Sequence, residues 1–294
     1  MADPWQALEA IGLLPDNEID PATAALQLAR LDAPGTDWLK ASEHLSMLAR
    51  EAAAIGNILS ERSAETRVGA LAGLIHARFG YRGDSESYDD LDNANLIRVI
   101  ERRRGLPVAL GVIWLHCIRA AGWEGHGVDF PGHFLVALIG PAERGRGNDA
   151  PRNAKLLIDA FGNGATLVTA DLLALLQRVN GRETPLRPGM IRPMSVRDVL
   201  LRLQRNLVQR RLAAGEMEAA LESLEGMLKI APDFTSNWLD AAELCRHLGH
   251  IDKAIDYLEH FLAIVPPSET ATAARAQLEA LRLGKPRSGA NPGE

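Results

Sequence analysis

Residues 101–122 read ERRRGLPVALGVIWLHCIRAAG, and this stretch decides how the middle of the chain folds. Pro107 favours the first turn of a helix, where its fixed φ angle fits and its missing N–H group loses no partner. The residues that follow are mostly apolar, and Gly122 is a typical residue to end a helix. The sequence therefore predicts a long apolar helix over 107–121, preceded by a shorter helix over 95–103.

Downstream of this helix the pattern changes to short strands. Residues 127–130, 133–139 and 156–160 have the composition of strands, and Pro131-Gly132 marks a turn between the first two. The segment 143–153 is rich in Gly, Arg and Pro, which predicts an exposed hairpin loop. A helix that feeds a small antiparallel sheet is an α+β arrangement.

The first hundred residues predict a helical region upstream of the core. Asp20 is a suitable N-cap for a helix that begins at Pro21. A further helix is expected over 64–79, where Gly80 ends it, and a polar loop is expected over 83–93.

The C-terminal third contains a repeat with the period of a tetratricopeptide (TPR) array. Four pairs of residues lie 34 residues apart: Gly215 and Gly249, Ala220 and Ala254, Leu224 and Leu258, and Pro232 and Pro266. Because about three repeats are usually needed to bury a continuous core, we expect this short array to dock on the middle domain. The chain is thus divided into an N-terminal helical region (1–60), a core (61–190), helical repeats (191–285) and a disordered tail (286–294).

The composition excludes several classes of protein. The chain has 294 residues, of which 47% are hydrophobic and 24% charged, which is typical of a globular protein and not of a disordered or collagen-like chain. A net charge of −6 argues against nucleic acid as a partner. The most apolar stretch, over 106–115, is about half as long as a membrane-spanning helix. With no signal peptide visible and only two cysteines, we expect a cytoplasmic protein.

The sequence offers no motif for a cofactor or a metal. The glycines of 140–147 are not followed by the Lys-Ser/Thr pair of a phosphate-binding loop. His116 and His126 lack zinc-ligand spacing with a carboxylate or a thiol, and the acidic run 89–92 lacks the spacing of a calcium loop. We therefore expect neither a cofactor nor a metal.

Three segments carry a resemblance to a known family. The motifs ERRRGLP (101–107), PGHFLV (131–136) and LID (157–159) resemble the bacterial SirB-type proteins, in which a transglutaminase-like domain precedes TPR repeats. The resemblance runs from about residue 64 to 266. It implies a helix-and-antiparallel-sheet core related in fold to papain-type proteases, followed by an all-α array.

The wider transglutaminase-like superfamily implies a Cys–His–Asp set of catalytic residues. In such a set the thiolate attacks a carbonyl, the imidazole transfers the proton and the carboxylate fixes the tautomer of the ring. His133 and Asp159 match the family positions of the histidine and the aspartate. The cysteine would begin the long helix, where this chain has Pro107-Val108-Ala109. Cys117 lies about 15 Å further along the helix axis, and we interpret it as an inert buried thiol.

Each candidate residue also has a structural interpretation. His133 would then be a hydrogen-bonded residue of a strand, and Asp159 would cap a turn before Gly162. Glu101, Arg102, Arg103 and Arg104 form a candidate binding site for an anion or a carboxylate beside the cleft. The same run could instead be a solvated helix end, or one of its arginines could pair with Glu101 or with an aspartate of 89–92.

Two functional hypotheses follow. The first is a non-catalytic scaffold or regulatory protein that binds a protein or peptide partner through its TPR region, since such repeats present concave binding surfaces. The second is a hydrolase or acyl-transferase that uses His133 and Asp159 without a cysteine, with the histidine as general base towards a bound water.

Overall fold

A computed structural model describes residues 3–143, 152–181 and 184–284. Along the chain, helices precede and follow a small β-sheet. The helices are α1 (Pro4–Gly12), α2 (Pro21–Asp32), α3 (Trp38–Ile58), α4 (Ala64–Ala72), α5 (Leu96–Arg102), α6 (Pro107–Ala120), α7 (Thr169–Asn180), α8 (Val196–Ala213), α9 (Met217–Ile230), α10 (Thr235–Leu248), α11 (Ile251–Ile264) and α12 (Glu269–Gly284). The strands are β1 (Arg82–Gly83), β2 (Arg104–Gly105), β3 (Glu124–Phe130), β4 (His133–Glu143), β5 (Arg152–Asp159), β6 (Ala165–Leu167) and β7 (Pro193–Met194). The α+β class and the helical C-terminal array are as the sequence predicts.

The predicted central helix is α6, and its ends are those that the sequence indicates. Pro107 occupies the first turn, and Gly122 follows the helix with a φ of 72°. The side chains of α6 are almost all buried, because the helix packs against α2 and α3 as well as against β3 and β4. It therefore lies between the N-terminal helices and the sheet.

The sheet is antiparallel, in the order β6-β5-β4-β3-β7. The three predicted strands correspond to β3, β4 and β5, whereas β6 and β7 are additional. The predicted loop over 143–153 falls mainly on 144–151, outside the described residues. At its two described ends the prediction is wrong. Glu143 pairs with Arg152 and Ala142 pairs with Asn153, so these residues belong to strands β4 and β5.

The segment predicted as a single helix over 64–79 changes its geometry part-way. It runs as α4 to Ala72 and then as a π-helical turn over Gly73–Arg78, before Gly80 reverses the chain with a φ of 73°. The predicted polar loop that follows also contains regular structure. Its residue Gly83 belongs to β1, which pairs in parallel with β2 directly before α6.

The C-terminal array consists of helical hairpins, as the 34-residue period predicts. Gly215 and Gly249 both have positive φ angles between successive helices, and Ala220 and Ala254 are fully buried. The array docks on more than the middle domain. While α8 contacts α6 and β3, α9 packs against α1 and α2, so the N-terminal helices and the array share one core. The sequence indicates docking on the middle domain alone, because the α1–α9 contact joins distant parts of the chain and no local pattern encodes it. At that contact, Gly12 lies so close to the Lys229 carbonyl that a Cβ atom would not fit.

Among the described residues, no helix has the length and apolarity that a membrane crossing requires.

Candidate functional site

The two residues predicted as catalytic remnants lie next to each other. His133 is the first residue of β4, after a turn in which Gly132 has a φ of 70°, and Asp159 is the last residue of β5. Because β4 and β5 are antiparallel neighbours, the start of one meets the end of the other. The His133 Nε2 and Asp159 Oδ1 atoms are 2.9 Å apart.

The local chain around Asp159 stabilises its charged form. Oδ1 also accepts a hydrogen bond of 3.0 Å from the backbone N–H of Phe161. Gly162 follows so closely that a Cβ atom there would lie 2.7 Å from Oδ2. Burial disfavours the charge, but the hydrogen bond and charge of His133 and the backbone N–H groups of Phe161 and Gly162 outweigh it, and the pKa of Asp159 is lowered.

This pair has a defined chemical capacity. An ionised Asp159 only accepts hydrogen bonds, so His133 Nε2 carries the proton and Nδ1 is left as the basic nitrogen. The two side chains are 15% and 18% exposed, which leaves them partly open to solvent. The arrangement fixes the tautomer and the orientation of the imidazole, as a general base requires.

A second histidine lies near this pair. The Trp114 indole Nε1 donates to His76 Nε2 at 3.0 Å, and His76 Nδ1 lies 2.7 Å from the Tyr81 carbonyl oxygen. Since the indole is only a donor, His76 must accept at Nε2 and donate from Nδ1. Burial lowers the pKa of His76, against the opposing effects of the Tyr81 carbonyl and the charge of Asp159. The ring is therefore neutral at neutral pH.

The second turn of α6 lies against the start of β4. Pro107, Gly111 and Trp114 share one face of the helix, at positions i, i+4 and i+7. A Cβ atom at Gly111 would collide with the ring of Phe134, the residue after His133. Pro107, Val108 and Ala109 form the first turn of the helix, and their buried side chains carry no nucleophilic atom.

Cys117 lies in a different environment from the His133–Asp159 pair. Its side chain is fully buried, and burial together with the negative charge of Asp20 raises the pKa of the thiol to about 12. Burial likewise raises the pKa of Cys245 in α10 to about 11. Both cysteines are thus protonated at neutral pH, which makes them poor nucleophiles.

Arg102 pairs with the acidic cluster, one of the roles that the sequence allowed. Its Nη2 donates to Asp84 Oδ2 at 3.0 Å and lies 3.6 Å from Asp90 Oδ2, while Nη1 lies 3.7 Å from Asp92 Oδ2. The Asp84 side chain is almost fully buried. Arg102 therefore holds the loop after β1 against α5.

The other three residues of the run point to separate partners. Arg103 ends α5 in a left-handed conformation, with a φ of 58°, and donates to the Tyr81 hydroxyl at 2.6 Å. Arg104 pairs with Glu86 at 3.0 Å, and Glu101 pairs with Arg98 at 2.9 Å. Among the described residues, no hydrogen bond or ion pair joins the run to His133 or Asp159. A binding role for Glu101–Arg104 stays a prediction.

The described part of the chain contains no group of three His, Cys, Asp or Glu side chains that could hold a metal ion.

Comparison with known families places these features in context. Residues 39–205 match the model of the transglutaminase-like superfamily. The chain belongs to that superfamily. Residues 207–279 match a tetratricopeptide repeat model, and the two matches meet inside α8. The domain boundary at 190/191 remains a prediction.

Several bacterial relatives have a similar length. A UPF0162 protein of Pseudomonas aeruginosa is 30% identical over 226 residues, which are 76% of this chain and 77% of that protein. A UPF0162 protein of Xylella fastidiosa is 28% identical over 215 residues, or 72% and 73% of the two chains. The transglutaminase-like domain with C-terminal repeats thus belongs to the UPF0162, SirB-type group. F-box only protein 21 of Homo sapiens is 26% identical over 204 residues, which are 66% of this chain and 31% of that protein.

Proposed function

We propose that this transglutaminase-like protein is a non-catalytic scaffold or regulatory protein that binds a protein partner through its helical repeats. The observation that carries the proposal is the first turn of α6. Where the superfamily implies a cysteine, the turn has Pro107, Val108 and Ala109, although the chain keeps a hydrogen-bonded His133–Asp159 pair. Acyl transfer through a covalent intermediate needs a thiolate within reach of the imidazole.

The repeat array supports the binding role. Helices α8, α9 and α10 surround a groove of about 780 Å³ whose lining is mainly apolar. Two of the side chains that line it, Leu212 and Met217, are 43% and 41% exposed. TPR arrays bind peptide segments and partner helices in such grooves.

The experiment is affinity purification with the tagged full chain from extract of the native cell. Deleting the repeats would not be a clean test, because α9 shares a core with α1 and α2. We instead compare the wild type with the double variant Leu212→Glu/Met217→Glu, and use His133→Ala as the matched control. We expect the main partner to be lost from the groove variant and retained by the control. A partner that stays bound to a folded groove variant would contradict the proposal.

A hydrolase or acyl-transferase is the second candidate, and the hydrogen bond between His133 and Asp159 favours it. The pair leaves His133 Nδ1 able to take a proton from a bound water. Release of ammonia from a protein carboxamide, abolished by His133→Ala and unaffected by Leu212→Glu/Met217→Glu, would support this candidate over the scaffold.

A further inference from the structure

The apolar groove of the repeats continues into a second, polar cavity. This cavity has a volume of about 520 Å³ and is bordered by β3, β7, α8 and the start of α10. Arg205 and Gln209, one helical turn apart on α8, line both cavities. The two cavities are therefore adjacent parts of one groove, which we call the α8 groove.

The α8 groove crosses from one family module to the other. Asp129, Pro193 and Met194 at its polar end belong to the sheet of the transglutaminase-like domain. Leu224 and Leu244 at its apolar end belong to the repeat helices α9 and α10. A ligand that fills the groove would contact both modules at once.

The polar end carries an excess of positive charge. Arg192, Arg202 and Arg205 line it together with the carboxylates of Asp129 and Asp198. Both carboxylates are already engaged by the protein itself. Asp129 pairs with Arg202, and Asp198 accepts hydrogen bonds from Ser195 at the start of α8.

Two of these arginines have capacity for a further anion. Within the described ranges, neither Arg192 nor Arg205 has a carboxylate at ion-pair distance. Arg192 is exposed and donates through Nε to the Gly189 carbonyl. Arg205 makes long contacts of 3.4 Å with Ser236 and Asn237, and its charge also acts on the Asp240 carboxylate in the adjacent cavity. An arginine fork binds a carboxylate strongly because two parallel N–H groups can donate to it.

The apolar end has a different character. Its apolar lining residues are Val208 and Leu212 of α8, Leu224 and Met227 of α9, and Leu244 of α10. The carboxylates of Asp240 and Glu243 lie at its α10 side, where Glu243 is paired with Arg246. Apolar side chains of a bound segment gain free energy here in proportion to the area that they bury.

We infer that the α8 groove binds a protein segment that has acidic residues at one end, against the arginines beside β7, and apolar residues along α8 towards Leu212. This inference rests on the proposed scaffold function and adds the location and the chemistry of the partner segment. The lining residues of α8 run from Asp198 to Leu212, about 21 Å at 1.5 Å per residue. That distance corresponds to about 14 residues of helix or about six of extended chain.

The test uses the full chain and labelled synthetic peptides of about 14 residues, long enough for either conformation. The probe has a block of glutamates followed by leucines at helical spacing. In one control peptide lysines replace the glutamates, and in the other serines replace the leucines. Binding is measured by fluorescence anisotropy at low and at physiological salt.

The protein variants are Arg192→Gln, Arg205→Gln and their combination, with Arg62→Gln, an exposed arginine outside the groove, as the matched control. Circular dichroism confirms that each variant is folded. We expect the acidic–apolar probe to bind, and each groove variant to weaken it about tenfold, since each removes a charged hydrogen-bond donor. Higher salt should weaken it further.

Three results would overturn the inference: no binding of the acidic–apolar probe, equal binding of the lysine peptide, or no effect of the arginine variants. Partner capture from extract separates this failure from failure of the proposed function. If capture depends on Leu212 and Met217 but not on Arg192 and Arg205, the scaffold stands and the acidic segment is wrong. If capture depends neither on the two apolar residues nor on the two arginines, the scaffold proposal and the inferred acidic segment are both wrong.

Discussion

Arg211 of α8 and Asp32 of α2 form a buried ion pair between the repeat array and the N-terminal helices. The Nη1 and Oδ1 atoms are 2.8 Å apart, and the two side chains are only 8% and 2% exposed. Ser223 of α9 also donates to Asp32 Oδ1, at 3.0 Å. One carboxylate of α2 thus joins two consecutive helices of the distant repeat array.

The variant Asp32→Ala should lose about 3–5 kcal/mol of the free energy of unfolding, because it leaves the guanidinium of Arg211 buried without its counter-charge. Urea denaturation measures the loss. Lys40→Ala is the matched control, since Lys40 and Asp37 form an exposed ion pair that should contribute little to stability. Equal losses for the two variants would contradict the structural importance of Asp32.

Stability should depend on pH through His116. Burial alone would lower the pKa of His116, but the hydrogen bond and charge of Asp20 and the Leu45 carbonyl raise it above 6.5. A raised folded-state pKa means that the contribution to stability is fully present below the unfolded-state pKa. The contribution is lost as pH rises through the folded-state value.

The variant His116→Gln should therefore differ more from the wild type in free energy of unfolding at about pH 5.5 than at about pH 8.5. Burial lowers the pKa of other histidines, such as His44 and His126, so their contribution to stability changes with pH in the opposite direction. Both proteins contain these histidines, so their contributions cancel when the free energies of unfolding of the variant and the wild type are subtracted. The same difference at both pH values would show that the Asp20–His116 contact does not favour the protonated ring.

The two native thiols should be unreactive in the folded protein. The raised pKa values of Cys117 and Cys245, about 12 and about 11, keep both protonated at neutral pH. A chromogenic disulfide reagent should release little colour until denaturant is added, and then react with both. Rapid labelling of Cys117 in the native state would place it in a reactive environment and remove a basis of the scaffold proposal.

A cysteine introduced at the start of α6 should behave differently. In Pro107→Cys the new thiol would lie at a helix N-terminus, on the face that points to the start of β4, where the helix dipole and an imidazolium lower a thiol pKa. We expect alkylation at neutral pH to be clearly faster than in the wild type, and thiolate absorbance to appear at lower pH. Adding His133→Ala should reverse part of the gain. If His133→Ala has no effect, the first turn of α6 does not face the histidine.

Much of the candidate site could be predicted from short-range signals. Pro107 and Gly122 bracket α6, and the turn at 131–132 places His133 at the start of a strand. The resemblance to the transglutaminase-like superfamily is what implies His133 and Asp159 as partners, and the antiparallel strands β4 and β5 bring the two residues together. These features depend on residues close in sequence or on one hairpin, where local geometry leaves few alternatives.

Other features depend on contacts that no local pattern encodes. The hydrogen bond from Trp114 to His76 joins residues of different elements that are 38 positions apart in the sequence. Strands β6 and β7 have three and two residues, too few for an alternating pattern. The sequence does not predict helix α7, because its N-cap is Val168, whose side chain has no oxygen. Asp171 instead accepts a hydrogen bond from the Val168 N–H at 2.9 Å.

The two family matches abut inside one unbroken helix, α8, with no linker between them. A continuous helix has no hinge, so the sheet and the repeats cannot reorient as two domains on a flexible linker. Any binding partner that touches both would meet them at a constant spacing and angle. Each residue inserted near the middle of α8 would turn one module relative to the other by about 100° and separate them by about 1.5 Å, a change of phase that such a partner should not tolerate.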